Sequence, residues 1–426
     1  MTILPDDPPP PSLRGPLAFA IACFVVWGLA YGLLDVLNKH FQETLRVGKA
    51  QSTWLQMAYF GAYLIMSLPA GRLLQARGYK FGIVSGLVVT ALGAILFIPS
   101  AQLLSFPCFV GAMFVLATGL CCLETAADTY VNVLGPPEHA ARRLNLAQSF
   151  NALGVFFGPV IGGALFFQQG DPRAAQHAVQ GTYLAIAIAV LIFAFAVWRA
   201  RLPEQAPAHS AETSHPEIIT AASTLARRHF VFGVITQALY VGAQVGIGAF
   251  FINLVTETSP GLTSRGGAYL LSIATACYLV GRFATTVLLF RFRPRSVLTL
   301  YGCINVVLCL IVSTGAQTLS AIALVAIFFF ISTMFATIFT LGVADLDAAT
   351  KRGASLMVMA IGGGVLLPYP MGRLAEAYGT PAAFLLPAAC FAIVAAYGWR
   401  GASRAETPSA APYQTMPAPK PTSLRS

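Results

Sequence analysis

Apolar residues in this chain gather into twelve runs, each close to the roughly 20 residues that a helix needs to cross hydrocarbon. They lie at about 17–38, 53–74, 81–100, 106–134, 144–168, 181–199, 230–256, 266–290, 297–316, 319–342, 354–375 and 381–399. A helix satisfies its own backbone hydrogen bonds in lipid, so the pattern predicts twelve transmembrane helices. The first run follows Pro8 to Pro11 and is longer than the apolar core of a signal peptide, with no A-x-A-like site ahead of a soluble domain. It is read as the first span. A hydrophilic break carrying Pro203, Pro207 and Pro216 divides the spans six and six. The predicted organisation is a tail at 1–16, a six-helix bundle at 17–200, a linker at 201–228, a second bundle at 229–400 and a tail at 401–426. The linker reads as mobile, and the last segment, rich in proline, alanine, serine and threonine, as disordered.

Composition makes the class firm. The 426 residues are 57% hydrophobic and 10% charged, against about 25% charged in ordinary soluble proteins. The fold class is all-α and integral to a membrane, so the lipid bilayer is the first partner. A net charge of +10 invites a nucleic-acid reading, but its distribution excludes one. Fourteen basic residues stand in alternate connections: Arg72, Arg77 and Lys80; Arg142 and Arg143; Arg199, Arg201, Arg227 and Arg228; Arg291, Arg293 and Arg295; Lys351 and Arg352. The other connections hold six: Lys39, Arg46, Lys49, Arg173, Arg265 and Arg373. The positive-inside rule makes the first set cytoplasmic, and both termini with it. The eight cysteines all lie in or beside apolar runs, without metal-ligand spacing to histidine, and read as small apolar filler.

Weak internal similarity joins the two halves. Gly71-Arg-Leu-Leu-Gln-Ala-Arg-Gly-Tyr79 resembles Gly372-Arg-Leu-Ala-Glu-Ala-Tyr-Gly379, and Gly281-Arg282 occupies the second run of the other half. Two six-helix halves with internal repeats are the layout of alternating-access carriers, whose site lies at mid-depth between them.

Four charges stand inside the runs: Asp35, Glu124, Asp128 and Arg282. An ionised side chain at that depth costs several kcal/mol. Asp35 lies about 19 residues beyond Pro16, roughly 28 Å along a helix, and Glu124 sits nearer mid-depth. A carboxylate that alternates between apolar and watery surroundings can load and release a proton. The two therefore form a candidate proton route. Asp128, one turn below Glu124, and Arg282 are candidates for an ion pair or a gate, Arg282 as the partner of Glu124 or Asp35. Asn145, Gln148 and Asn151 share a helix face, as do Gln237, Tyr240 and Gln244. Gln148, Asn151, Gln237, Tyr240, Gln244 and Asn38 form the candidate substrate-binding set, because amides and a phenol both donate and accept hydrogen bonds and so suit a neutral polyhydroxylated ligand. The bland alternative is hydrogen bonding between helices.

The stretch Leu120 to Pro136, reading LCCLETAADTYVNVLGP, and Arg143-Leu-Asn-Leu-Ala-Gln-Ser-Phe-Asn151 resemble the L-fucose–proton symporter family of the major facilitator superfamily. Leu34-Asp35, Tyr240-Val-Gly-Ala-Gln244, Val280-Gly-Arg-Phe283 and Ile361-Gly-Gly-Gly364 extend the resemblance over nearly the whole apolar chain. It implies alternating access in a functional monomer and import of a neutral sugar with a proton, the proton gradient being the driving force and no cofactor or metal being needed. It also implies that Asp35 and Glu124 are the functional carboxylates and that Gln148 and Asn151 line the cavity. Family members take L-fucose, glucose and galactose, or N-acetylglucosamine, and the resemblance chooses none of them. Location in a bacterial inner membrane follows from the same resemblance. This chain departs from the family in having Asp128-Thr129 for Asn-Pro, Gln75 for an aspartate, and Val-Gly-Ile-Gly-Ala after Gln244 where the fucose carrier has bulkier residues.

Two other classes compete with sugar import. Export of a hydrophobic or amphiphilic compound by proton antiport could use the same scaffold, with a more aromatic cavity. A membrane-embedded enzyme would need a nucleophile with its base, a metal cluster or a nucleotide loop, and the sequence offers none.

Overall fold

A computed structural model describes residues 14–134, 140–167, 172–200, 202, 228–289, 291–343 and 356–401. Apart from Leu202, Arg228 and Gly401, the expected linker and C-terminal tail fall outside these residues, as does the basic pair Lys351–Arg352. Among those described the chain is helical with no strand. Among the described residues ten helical stretches are long and apolar enough to cross a membrane, with Gln317–Val343 and Thr380–Arg400 each counted whole. We number α1 Arg14–Thr44, α2 Trp54–Gln102, α3 Phe106–Val133, α4 Ala140–Phe166, α5 Pro172–Arg199, α6 Arg228–Thr258, α7 Ser264–Leu289, α8 Pro294–Ser313, α9 Gln317–Ile331, α10 Met334–Val343, α11 Pro368–Tyr378 and α12 Leu385–Ala396.

Four predicted runs take a different form. The runs at 53–74 and 81–100 meet with no loop between them, inside the 49-residue α2. The corner is Gly78, whose φ of 83° and ψ of 173° a side chain would oppose. The run at 319–342 is broken at Ser332–Thr333 into α9 and α10. The run at 354–375 tightens into a 3-10 turn, Ala360–Val365, before α11 begins at Pro368. Three successive glycines and the Leu367-Pro368 step disfavour a continuous α-helix there. Broken helices at membrane depth are tolerated where protein covers the freed backbone, and here the Tyr240 hydroxyl donates to the Ile331 carbonyl at 2.8 Å.

In the first half, α1 and α4 approach through facing small-residue stripes. Gly28 and Gly32 on α1 lie against Asn151 and Val155 of α4, while Gly154 and Gly158 on α4 lie against Val25, Leu29 and Gly32 of α1. Such spacing lets two helix backbones touch, which is how membrane helices gain contact without a hydrophobic driving force.

The two halves are joined at the end of the bundle where α1 and α6 finish, here called the distal end. Asn38 donates to the Ala249 carbonyl at 2.7 Å, and Asn253 donates to Gln42 Oε1 at 2.6 Å. Lys49 reaches Glu257 at 2.7 Å and Thr380 at 2.9 Å, and the Ala50 amide donates to Glu376 at 2.9 Å. Ser264 donates to Glu43, and Arg265 donates to the Gly163 and Ala164 carbonyls. At the opposite, proximal end Lys80 donates to the Ala200 carbonyl at 3.0 Å and Arg143 to the Val131 carbonyl at 3.1 Å, both within the first half. Exposed Trp54, Tyr269 and Tyr378 at the distal end, and Trp198 and Trp399 at the proximal end, mark the two interfacial belts expected of a spanning bundle.

The distal clasp should be weakened by Lys49→Met, which removes two contacts worth together about 1 kcal/mol for half-exposed groups. That corresponds to about a fivefold rise in the opened population. The maleimide labelling rate of an Ala249→Cys reporter in purified protein should rise accordingly, and an unchanged rate would show that the clasp does not hold the halves together.

Candidate functional site

Asp35 lies on α1 at the seam between the halves. Its carboxylate rests on the backbone of α6 at Gly248, where a Cβ would stand 2.5 Å from Oδ2. The absence of a side chain at Gly248 is what lets the carboxylate seat there. The Gln56 amide of α2 faces Asp35 from the other side, yet both of its polar atoms are buried without a hydrogen-bond partner. Among the described residues no cation pairs with Asp35.

Glu124 and Asp128 occupy successive turns of α3, and each has one oxygen, Oε2 and Oδ1, cut off from water and from any partner. The helix runs unbroken through Asp128-Thr129 to Val133. Threonine in place of proline explains this, since the Thr129 hydroxyl bonds back to the Thr125 carbonyl at 2.7 Å and the Thr125 hydroxyl to that of Cys121 at 2.7 Å. Tyr63 of α2 faces Glu124, and Tyr59 one turn earlier stacks on Tyr63 with ring centroids 5.3 Å apart.

The amide set divides by its partners. Gln148 and Gln244 are partly exposed and make no hydrogen bond among the described residues, so their amides are open to a ligand. Asn151 is also partly exposed, but it donates to the Phe24 carbonyl at 3.2 Å across the α1–α4 contact. Asn38 and Tyr240 are fully buried and bonded to backbone carbonyls of neighbouring helices. Gln237 is fully buried with neither amide atom paired. Nothing is described for the Asn145 side chain. The ion pair considered for Arg282 is not formed with Asp35, Glu124 or Asp128. Its guanidinium leans on Tyr278 instead, 3.5 Å from the hydroxyl and 5.5 Å from the ring centre. No group of three or more histidine, cysteine, aspartate or glutamate side chains suited to a metal occurs among the described residues.

Gln56, Tyr59 and Tyr63 join the site without being among the residues expected from the sequence. They recur at spacing three and four on one face of α2, the same signal that drew attention to α4 and α6.

The profile of the Major Facilitator Superfamily aligns with residues 17–367. The L-fucose-proton symporter of Escherichia coli (strain K12) is 36% identical over 401 residues, 89% of this chain and 91% of that protein. The glucose/galactose transporter of Brucella abortus biovar 1 (strain 9-941) is 36% identical over 382 residues, 89% of this chain and 92% of that protein. Among solved structures, the Major Facilitator Superfamily transporter FucP in the outward conformation superposes with a TM-score of 0.66 at 34% identity, covering 92% of this chain and 100% of that one. The xylose transporter XylE from E. coli, inward open, gives 0.73 at 10% identity, covering 93% of this chain and 98% of that one, which speaks for the fold alone.

Proposed function

Because the chain belongs to the Major Facilitator Superfamily, within the group of L-fucose–proton symporters and glucose/galactose transporters, we propose that it imports a neutral monosaccharide by proton symport. The candidate sugars are hexoses, deoxyhexoses such as L-fucose, and amino sugars. The observation that carries the reading is the pair Asp35 and Glu124, two carboxylates on membrane-crossing helices with no cation beside them among the described residues. A structural charge would be paired; a proton site has its own cation to collect.

Gln148, Asn151 and Gln244 are the groups we assign to the sugar, as amides that can match hydroxyls in either direction. Both termini are assigned to the cytoplasm from the bias of basic residues, and the membrane to the bacterial inner membrane from the likeness to the bacterial symporters. The distal clasp then faces outward, and the conformation is one that opens inward. Bundles 17–200 and 229–400 are the bodies that rock about the site, in a chain acting as a monomer. Seated against Gly248, Asp35 is half-buried with no cation beside it among the described residues, and closing the seam over it costs less for a neutral carboxyl than for an unpaired charge. Distal closure and proton loading are thereby coupled.

The test is uptake of labelled L-fucose, D-glucose, D-galactose and N-acetyl-D-glucosamine into proteoliposomes under an imposed proton gradient. One of them should accumulate, and a protonophore should abolish the accumulation. Sugar uptake indifferent to the protonophore would sink the symport reading.

A further inference from the structure

Three pairs of side chains, each one helical turn apart, lie on adjacent helices: Tyr31 and Asp35 on α1, Tyr59 and Tyr63 on α2, Glu124 and Asp128 on α3. Residues at this spacing are neighbours on a helix surface. The pairs also meet across helices. The Tyr31 and Tyr59 rings are 6.0 Å apart, and Tyr59 and Tyr63 are 5.3 Å apart and stacked. Tyr31 lies within electrostatic reach of Asp35, and Tyr63 faces Glu124. The Trp27 indole and the Tyr63 hydroxyl both approach the Tyr59 oxygen. Yet the hydroxyls of Tyr59 and Tyr63, like Glu124 Oε2, are buried without a completed hydrogen bond. A buried, unpaired polar atom is costly, because it has lost water and gained no partner. Here two phenols and a carboxylate oxygen carry that cost in one row, between the two groups already assigned to the proton.

We propose that Tyr31, Tyr59 and Tyr63 form a hydroxyl relay that carries the proton between Asp35 and Glu124. This rests on the symport reading given above. A phenol donates and accepts at the same oxygen, so it can pass a proton without becoming charged. The protonated carboxyl of Asp35 gives its proton to the Tyr31 oxygen as Tyr31 releases its own to Tyr59. Tyr59 passes its proton to Tyr63, and Tyr63 passes its own to the carboxylate of Glu124. One O–H bond breaks and one forms at each phenol, all three end neutral, and one proton has moved from Asp35 to Glu124. The rings must turn slightly to close the bonds, which links the relay to the movement of α1 against α2.

Tyr63→Phe and Tyr59→Phe remove one hydroxyl each and keep the rings. Wild type and variants are compared in proteoliposomes holding a pH-sensitive dye, with whichever of L-fucose, D-glucose, D-galactose or N-acetyl-D-glucosamine the wild type accumulates. Sugar-dependent proton entry should slow at least tenfold in either variant. Exchange of labelled for unlabelled sugar across the membrane and the thermal shift given by that sugar should stay at wild-type values. Tyr397→Phe, which removes a buried unpaired hydroxyl remote from the row, should change nothing. Wild-type rates of proton entry in both relay variants would overturn the relay and leave symport standing. A wild-type protein that moves no protons with any of the four sugars would overturn the symport reading and the relay with it.

Discussion

A Glu124→Gln variant is expected to bring its sugar only to equality across the membrane, while exchange of labelled for unlabelled sugar continues. The amide keeps the size of the side chain and can still accept from Tyr63, so packing on α3 changes little. What it loses is the ability to carry a proton. With one proton per sugar, a driving potential of ~150 mV is worth about 3.5 kcal/mol, enough for a gradient of several hundredfold. All of that gradient should vanish in the variant. The split between accumulation and exchange is the informative part, because a folding defect lowers both. Asp35→Asn makes the contrast. Its carboxylate seats on Gly248 at the closing seam, so a neutral group there should also slow release of the distal clasp and impair exchange. Retained accumulation by Glu124→Gln would transfer the coupling role to Asp128, the other carboxylate on that face of α3.

Some of this site was legible along the chain and some was not, for physical reasons. Asp35 and Glu124 stand out because a charge in an apolar run is costly wherever the helices end up, so the signal is local. Tyr59 and Tyr63 carry no such mark. A phenol is amphipathic, and an apolar run absorbs it without comment; its meaning depends on which helix lies opposite. Gln56 gave the same local signal as Gln148, at helical spacing with its neighbours, and differs only in facing Asp35 across helices. The distal clasp was out of reach for a different reason. Lys49 meets Glu257 and Thr380, and Ala50 meets Glu376, contacts spanning two to three hundred residues that no periodicity reveals. The helix at 354–375 shows hydropathy misleading: its glycines and prolines named the break, while its apolar content argued for a continuous span. Conversely, the proline missing at Thr129 was read from sequence as the loss of a kink, and α3 is unbroken there.

Replacing Gly28 by alanine should already be severe, against the ordinary preference of helices for alanine. In an exposed helix that change stabilises by about 1 kcal/mol. Here a Cβ on Gly28 would stand 2.1 Å from the Asn151 carbonyl oxygen and 2.9 Å from its carbon. Both are backbone atoms of α4, so no rotamer can yield, and relief requires the two helices to separate. Moving them apart also breaks the seats of Gly32 and Gly158 one turn along, where the partner is again backbone. Overpacking of this kind costs about 3 kcal/mol or more. Gly28→Ala should therefore lower the melting temperature in detergent sharply, and Gly28→Leu should leave little folded protein to purify. Gly111 on α3 provides the control, since a Cβ there meets nothing within 4 Å, and Gly111→Leu should not destabilise, raising stability by up to about 1 kcal/mol through helix propensity alone. Because Asn151 donates to Phe24 only while α1 and α4 touch, the same separation removes that bond. Partial loss of stability with a matching loss of sugar-induced thermal shift would tie the glycine stripe to the site, whereas a melting temperature unchanged by Gly28→Ala would refute the close contact itself.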